Sequence, residues 1–450
     1  MIDWSRSIPH PLLAARASRG AELALVAKDG RWSYEALTLA VMARAAGFAA
    51  QGVQAGDRVA LPMTRRGQDV ISLHALGWLG ACVLPFDASS NEQRNALDVR
   101  NPDRLADEQP DGPVTDAPPA RPWAFDEARF VLCTSGTTGR SRPVTLTTAQ
   151  LLFSAFGSAM RLGHLPQDCW LAVLPLHHVG GLSVLMRSVF AASAVELHER
   201  FDAQAVCQAL EAGRISQTSL VPTMLDALLG VLPTRMHAPH LRFILLGGAK
   251  PSADLLAHAA GLGLPVVPTW GMSETASQAA TLHPGAGLAP APPLPFLDVL
   301  EEADRLVVRG PAAGGVCVTG DRGQVDALGR VRVTGRADAC IISGGENIDP
   351  SEIEAVLASH PAVARAYVVG VGDATYGERP AAALVPASDE QPSAAELRSW
   401  CGQQLDRFKA PDRILWIKDA PRGETGKVRL AELRDWLSKV QPAEMDGDPR

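Results

Sequence analysis

The 450-residue sequence lacks several features that would assign it to common protein classes. Its seven cysteines include no Cys-x-x-Cys pair, which argues against a disulfide framework and against a cysteine zinc site. No uncharged apolar run reaches the ~18 residues that a membrane-spanning helix needs. The net charge of −7 argues against a nucleic-acid-binding surface. The first residues lack the charged-then-apolar pattern of a secretory signal, so we expect a cytoplasmic protein that handles small molecules.

One stretch rich in threonine, serine and glycine suggests a binding loop. A short apolar strand is predicted over residues 129–133, and the loop follows it directly. The residues of this phosphate loop are Thr134, Ser135, Gly136, Thr137, Thr138 and Gly139. Small side chains let backbone N–H groups converge on an anion, and hydroxyls add donors, so the loop is suited to phosphate. The ending of a Walker loop is absent, and a simple polar turn is the structural alternative.

Strand-like and helical stretches alternate between residues 129 and 270. This alternation predicts parallel strands with helices on both faces of the sheet. The predicted strands cover residues 129–133, 170–174, 194–198, 217–221, 241–246 and 264–269. Loops at the carboxyl ends of such strands usually carry the ligands. We therefore expect an α/β protein whose large N-terminal domain has parallel or mixed sheets flanked by helices.

The sequence pattern changes twice after residue 285. Short strands separated by glycine turns predict a small β-subdomain over about 286–336, which completes a large domain of residues 1–336. Asp349 and Pro350 then start a helix, and a strand and a second helix follow. We therefore predict a small, mobile α+β domain over 337–440 and a disordered tail over 441–450.

Five further segments hold residues that could carry chemistry. They are residues 174–181, 245–249, 269–277, 319–321 and 421–427. Each has a simpler interpretation when taken alone: a packed histidine, a tight glycine turn, a capped helix start, an Asx turn and an exposed lysine. Their order and separation along the chain are more informative than any one of them.

Together, these segments resemble the adenylate-forming superfamily of acyl-CoA synthetases over about residues 20–435. The matching motifs are the phosphate loop, Trp270 to Thr275, Thr319 to Asp321, Gly335 to Asp338, Ile342 to Ile348, and Gly426-Lys427. The resemblance implies an AMP-forming acid–thiol ligase. Such enzymes join a carboxylic acid to AMP with release of pyrophosphate, and CoA thiol then displaces AMP. The expected ligands are therefore ATP, Mg²⁺, CoA and a small carboxylic acid.

Within the superfamily, residues 271–282 are most similar to the branch that acts on 2-succinylbenzoate in menaquinone biosynthesis. Another aryl- or acyl-CoA ligase, a stand-alone adenylation enzyme that loads a carrier protein, and a non-catalytic nucleotide-binding protein are the alternatives. A homodimer is a further expectation. The second carboxylate of 2-succinylbenzoate would need a polar partner. The candidates for that partner are His177, Arg187, Ser277 and Gln278, and the sequence leaves the choice open.

The resemblance implies roles for residues around the nucleotide. The phosphate loop would contact the β- and γ-phosphates. Glu274 would hold Mg²⁺, and Thr275 would contact the α-phosphate. Gly248 and Trp270 would enclose adenine, and Asp321 would accept hydrogen bonds from the ribose hydroxyls.

The resemblance also implies which residues serve the two reaction steps. Arg336 would support ribose and phosphate, and Lys427 would bridge the substrate carboxylate and the α-phosphate in the first step only. His178 would line the acyl pocket and the thiol path. The small domain would then turn about Asp338. The residues that would face CoA after this rotation are Ser343, Gly344 and Gly345.

Overall fold

The computed structural model describes most of the chain. The described residues are 6–90, 94, 97, 101–106, 110–134, 142–232, 238–284, 290–303, 305–336, 339–343, 346–389, 391–423 and 428–441. In these ranges, no helix is both long enough and apolar enough to cross a membrane. The predicted tail beyond residue 441 lies outside them.

The described residues form eleven α-helices, several of which begin at caps that the sequence encodes. They are α1 (Pro11–Arg19), α2 (Tyr34–Ala50), α3 (Gly67–Leu79), α4 (Thr148–Leu162), α5 (Val179–Ala191), α6 (Ala203–Glu211), α7 (Pro222–Val231), α8 (Ala253–Gly261), α9 (Pro350–Ala358), α10 (Ala394–Gly402) and α11 (Leu430–Ser438). The Ser33 side chain accepts a hydrogen bond from the backbone N–H of Ala36 at the start of α2. Asp349 caps α9 in the same way, with Pro350 in the first turn, as predicted.

The strands form two larger sheets in the N-terminal part and smaller sheets after it. In chain order they are β1 (Ser7–Ile8), β2 (Leu23–Ala27), β3 (Gly30–Ser33), β4 (Arg58–Pro62), β5 (Cys82–Phe86), β6 (Arg104–Leu105), β7 (Trp123–Ala124), β8 (Ala128–Thr134), β9 (Arg142–Thr147), β10 (Cys169–Ala172), β11 (Ala194–Leu197), β12 (Gln217–Leu220), β13 (Phe243–Leu246), β14 (Val266–Trp270), β15 (Ala280–Thr281), β16 (Asp298–Glu302), β17 (Arg305–Gly310), β18 (Gly315–Val318), β19 (Asp321–Val325), β20 (Val331–Arg336), β21 (Ile341–Ser343), β22 (Glu346–Ile348), β23 (Val363–Asp373), β24 (Gly377–Pro386) and β25 (Arg413–Trp416).

The central sheet has eight strands in the order β15-β14-β13-β12-β10-β11-β2-β3. Its six inner strands are parallel, and the two edge strands are antiparallel. The sequence predicted five of these six parallel strands to within two residues at each end. Two hydrophobic clusters lie on opposite faces of the sheet, so that helices cover both sides. The predicted α/β class is confirmed.

The strand before the phosphate loop is not part of the central sheet, although the alternating pattern predicted that it would be. It is β8, which belongs to a second sheet in the order β6-β4-β5-β8-β9 and pairs antiparallel with β9. The chain therefore passes from β8 to a second strand of the same sheet, and not from a strand into a helix. Strand β9 is hard to predict, because this edge strand contains Pro143 and buries only Leu146.

The remaining sheets are antiparallel or mixed. A three-stranded sheet, β16-β17-β18, and the hairpin β19–β20 form the predicted β-subdomain. A five-stranded sheet built from β21 to β25 then packs against α9 and α10 around its own buried core. This second core makes the C-terminal part a small α+β domain, and we refer to the preceding residues as the large domain.

Acid pH should destabilise the large domain because two histidines are buried there without charge. Burial lowers the pKa of His74 to about 4 and also lowers that of His10, whose ring centroid lies 6.4 Å away and which faces the Arg129 cation. A depressed histidine pKa gives stability that is complete above pH ~6.5 and is lost as pH falls towards 4. For His74 the full loss corresponds to about 3 kcal/mol.

Urea unfolding of the wild type and of His74→Leu at pH 7.5 and pH 5 tests this expectation. The wild-type midpoint should fall more between these pH values than the midpoint of the variant. Equal shifts in the two proteins would mean that His74 does not titrate in this range.

Candidate active site

Four loops meet at the carboxyl edge of the central sheet, where the sequence predicted a site. The loop after β13 holds Gly248 at φ +83°. A Cβ on Gly248 would lie 3.0 Å from Val221 Cγ1, and a Cβ on Gly247 would lie 3.0 Å from Thr269 Cγ2. The Gly247-Gly248 backbone therefore fits closely between the ends of β12 and β14, and any side chain at Gly248 would be strained.

Trp270, Asp321 and Arg336 form a linked group beside this edge. The Trp270 Nε1–H donates to Asp321 Oδ2 at 2.8 Å, and Arg336 Nη1 lies 3.2 Å from Asp321 Oδ1. Asp321 and Arg336 face each other in the β19–β20 pair. A Cβ on Gly320 would lie 2.6 Å from Arg336 Nη2, so glycine lets the guanidinium approach the backbone. Three of the predicted nucleotide residues are thus brought together across 66 residues of chain.

The turn after β14 is tightly constrained. A Cβ on Gly271 would lie 1.8 Å from the carbonyl oxygen of Ser277, so only glycine fits there. Ala276 and Ser277 adopt positive φ angles of 50° and 107°. Thr275 is fully buried, and its hydroxyl exchanges hydrogen bonds with the backbone of Met272. Such strained backbone persists only where surrounding contacts hold it, and it clusters at functional sites.

Helix α4 holds this turn through two polar side chains. Gln150 Nε2 donates to the carbonyl oxygen of Glu274 at 3.1 Å, and Ser154 Oγ donates to that of Ala276 at 2.8 Å. The Gln150 Oε1 atom also caps α4 at Thr147. Since α4 starts directly after β9, these bonds connect the Glu274 turn to the hairpin that contains the phosphate loop. Sequence reasoning missed Gln150 and Ser154, because a capping glutamine and a helical serine have ordinary local explanations.

Glu274 is the candidate metal ligand. Its side chain is partly exposed. The neighbouring Cys317 thiol stays neutral, because burial and the charges of Glu274 and Asp321 raise its pKa to about 11. Within the part of the chain that the structure describes, no group of three His, Cys, Asp or Glu side chains could form a metal cage. A single carboxylate suits Mg²⁺, which proteins usually bind with one or two carboxylates and the substrate's phosphates.

The loop after β10 leads into α5. His178 is the residue before α5, is half-buried, and its ring centroid lies 4.3 Å from that of the buried His177. Further along α5, Arg187 is 2% exposed, with its guanidinium carbon 5.7 Å from the centre of the Trp170 ring. Burial lowers the Arg187 pKa to about 9. Its Nε and Nη2 atoms make no hydrogen bond in the structure, and no described carboxylate pairs with it.

Two further buried polar atoms lie between Arg187 and the carboxyl edge. Gln217 of β12 pairs with Trp170, and Ser219, two residues on, points to the same face of the sheet. Ser219 Oγ has no hydrogen-bond partner in the structure. Nearer the edge, the fully buried Gln278 donates to Thr281 Oγ1 at 2.8 Å, whereas its Oε1 atom has no partner. Arg187 and Ser219 therefore offer donors, and Gln278 Oε1 offers an acceptor, that protein groups do not use in the structure.

Other predicted residues lie outside this group or outside the described ranges. Thr134 ends β8 opposite Arg142. Ser343 is buried at the end of β21 in the small domain, paired with Glu346. The predicted residues outside the described ranges are Ser135, Gly136, Thr137, Thr138, Gly139, Asp338, Gly344, Gly345 and Lys427.

Comparisons with known proteins cover both domains of the chain. The family model described as AMP-binding enzyme matches residues 93–325, and the AMP-binding enzyme C-terminal domain matches residues 352–427. The 2-succinylbenzoate–CoA ligase of Geobacillus sp. (strain WCH70) is 32% identical in an alignment that covers 98% of this chain and 99% of the relative.

Two solved structures of one enzyme are also similar. The o-succinylbenzoate coenzyme A synthetase of Bacillus subtilis in complex with ATP and magnesium ion has a TM-score of 0.84 at 30% identity, covering 96% of this chain and 100% of that one. A double mutant of that synthetase, bound to its product analogue OSB-NCoA, has a TM-score of 0.69 at 30% identity, covering 98% and 100%. The similarity extends over both domains in each case.

Proposed function

This chain belongs to the AMP-binding enzyme family, and we propose that it is the ATP-dependent ligase that joins 2-succinylbenzoate to CoA in menaquinone biosynthesis. It first forms an acyl-adenylate and pyrophosphate from the acid and ATP. CoA thiol then attacks the acyl carbon, and AMP leaves. ATP and CoA are its co-substrates, and we place it in the cytoplasm, where both are found.

The observation that carries the choice of acid is the unpaired Arg187. A buried cation without a partner is costly, and the cost is removed when an anion enters its site. One carboxylate of 2-succinylbenzoate must react at the nucleotide, which leaves the second to be recognised elsewhere. Arg187 is the buried guanidinium that the described part of this sheet face offers to it.

The geometry of the central sheet supports this placement. Trp170 lies level with Gln217 and Phe243 in the neighbouring strands. This level is about four residues, or roughly 13 Å, before Gly247 at the carboxyl edge of the sheet. Ser219 Oγ lies between these two levels and can donate to a substrate oxygen. In the proposed pose, the aromatic dicarboxylate lies along this face, with one carboxylate at the edge and the other near Arg187. Of the four sequence candidates, we choose Arg187 because it alone carries a full charge that lacks a protein counter-ion.

The nucleotide lies at the carboxyl edge. The Trp270 ring and the Gly248 backbone enclose adenine. Asp321, fixed by Trp270 and Arg336, retains free lone pairs that accept hydrogen bonds from the ribose hydroxyls. The phosphate loop contacts the β- and γ-phosphates, Thr275 contacts the α-phosphate, and Arg336 supports the ribose and phosphate.

Charge neutralisation is the main requirement of the first step, because two anions must meet. Glu274 would hold Mg²⁺, which when bound neutralises charge on the ATP phosphates. Lys427 bridges the reacting carboxylate and the α-phosphate, and His178 lines the entrance of the acyl pocket. Each of these residues positions or neutralises a group, and none needs to form a covalent bond.

We place the boundary between the domains at residues 336–338, with Asp338 as the pivot. The large domain covers residues 1–336 and the small domain covers 337–440. After the first step the small domain turns, which removes Lys427 from the nucleotide and brings Ser343, Gly344 and Gly345 to CoA. We treat a homodimer as a separate proposal, which light scattering on the purified protein tests.

A substrate panel tests the function. ATP–pyrophosphate exchange should give the highest kcat/KM with 2-succinylbenzoate, ahead of benzoate, 4-hydroxybenzoate and a fatty acid. Free CoA should then accept the acyl group better than a pantetheinylated carrier protein does. A higher kcat/KM with another acid would overturn the substrate, and preference for the carrier would overturn the ligase assignment. No exchange with any acid would favour a non-catalytic protein.

A further inference from the structure

An ion pair joins the two domains through residues that are distant in sequence from the proposed pivot. Arg365 on β23 places its Nη2 atom 2.7 Å from Oδ2 of Asp226 on α7. The two residues are separated by 139 positions in the chain, and both side chains are about half exposed. Arg365 also lies 3.9 Å from Asp419 within the small domain. The Asp226 carboxylate, by contrast, forms its ion pair with a residue of the other domain.

The helix that carries Asp226 begins at the nucleotide edge. Helix α7 starts directly after β12, and Val221, the residue before it, lies against Gly248. Lys250, two residues after Gly248, also lies near the small domain. Burial raises the pKa of Glu354 on α9 to about 7, and the Lys250 charge partly opposes this rise. The Asp226–Arg365 ion pair therefore connects a helix that begins at the carboxyl edge to the small domain.

Contacts near the pivot differ from these. Ser351 Oγ donates to the carbonyl oxygen of Thr334 at 3.1 Å, and a Cβ on Gly335 would lie 2.9 Å from Asp349 Oδ2. Atoms close to a rotation axis move little when a domain turns, so these contacts do not distinguish one arrangement from another. Arg365 lies further along the chain of the small domain, and we expect a rotation about residues 336–338 to separate it from Asp226.

We propose that Asp226 and Arg365 are positioning residues that hold the small domain in the arrangement used for acyl-adenylate formation. This inference rests on the two-step reaction proposed above. The chain superposes better on the synthetase complex with ATP than on the complex of its double mutant with the product analogue, and the two complexes differ in ligand and sequence. The ion pair acts through Lys427, which the docked small domain supplies to the nucleotide.

The expected effect is modest, because an exposed ion pair is screened by water and salt. Loss of such a pair shifts a two-state equilibrium by about 2- to 5-fold. A weak contact suits this task, since the small domain must leave the first arrangement in every turnover. We expect the effect to shrink as ionic strength rises.

Both half-reactions of Asp226→Ala test the proposal. ATP–pyrophosphate exchange should fall by about 2- to 5-fold, whereas thioester formation from supplied acyl-adenylate and CoA should be unchanged or faster. The double variant Asp226→Arg with Arg365→Asp restores the pair with reversed charges and should recover exchange. Arg309→Ala, which breaks an exposed ion pair with Glu302 inside the large domain, is the matched control and should leave both half-reactions unchanged.

Hydrogen–deuterium exchange gives a readout that needs no turnover. Peptides covering residues 222–231 and 350–358 should exchange faster in Asp226→Ala than in the wild type, and the double variant should reverse this change. Equal exchange in all three proteins would overturn the proposal, even if the wild type were inactive on every acid. An equal loss in both half-reactions without recovery in the double variant would also overturn it. Inactivity of the wild type alone would overturn the proposed function instead.

Discussion

Replacing Arg187 with leucine should lower kcat/KM for 2-succinylbenzoate by about 10²-fold or more, the scale for removing one partner of a buried charge pair. The free enzyme has no described carboxylate beside Arg187, so the partner that loses its counter-ion is the substrate. The effect should therefore appear with acids that carry a second carboxylate. A matched substrate is 4-oxo-4-phenylbutanoate, which has the same reacting carboxylate but lacks the carboxylate on the ring.

The contrast between the two acids identifies the role of Arg187. ATP–pyrophosphate exchange with 4-oxo-4-phenylbutanoate should change by less than about tenfold in Arg187→Leu, because the lost contact is absent from that acid. The melting temperature of the variant should be equal or higher, since removing an unpaired buried cation relieves a desolvation cost. Equal losses with both acids, or a clear drop in melting temperature, would assign Arg187 to the core and not to substrate recognition.

The central sheet was predictable because its parallel strands are buried on both faces and appear in the sequence as short apolar runs. The pairing of β8 with β9 was not, because β9 lies at a sheet edge and buries only one of its six side chains. The consequence for the site is large. Helix α4 directly follows β9 and contacts the Glu274 turn through Gln150.

The isolation of Arg187 could not be predicted from the sequence. An arginine in an apolar helix usually finds a carboxylate on a neighbouring element, and local sequence does not show whether one is within reach. The structure shows this by contrast: the buried Arg129 pairs with Glu127, whereas Arg187 packs over Trp170 and pairs with no carboxylate among the described residues. The Asp226–Arg365 pair was equally hidden, because it depends on how two domains dock.

Lys427→Ala should lower acyl-adenylate formation by about 10²-fold or more, the scale for losing one preorganised charge contact in a transition state. The residues around the lysine segment suggest how the small domain supports it. Arg422 and Val428 form a β-bridge on either side of the segment, and Arg422 Nη2 donates to the Tyr367 hydroxyl at 2.6 Å. Tyr367 lies on β23, the strand that also carries Arg365. Strand β23 therefore carries both Tyr367, which contacts Arg422 beside the lysine segment, and Arg365, which pairs with Asp226 across the domain boundary.

Two half-reactions separate this role from a structural one. ATP–pyrophosphate exchange should show the full loss in Lys427→Ala, whereas CoA consumption with synthetic acyl-adenylate should be nearly unchanged, because the rotated small domain no longer uses the lysine. Lys439→Ala, at an exposed lysine paired with Asp435 on α11, is the control and should leave both reactions intact. Equal losses in both reactions would indicate a folding defect, and an unchanged exchange rate would make Lys427 an ordinary surface lysine.

Adding Asp226→Ala to the Lys427→Ala variant should cause no further loss of ATP–pyrophosphate exchange. Docking of the small domain helps the first step by supplying Lys427, so it brings no benefit once the lysine is gone.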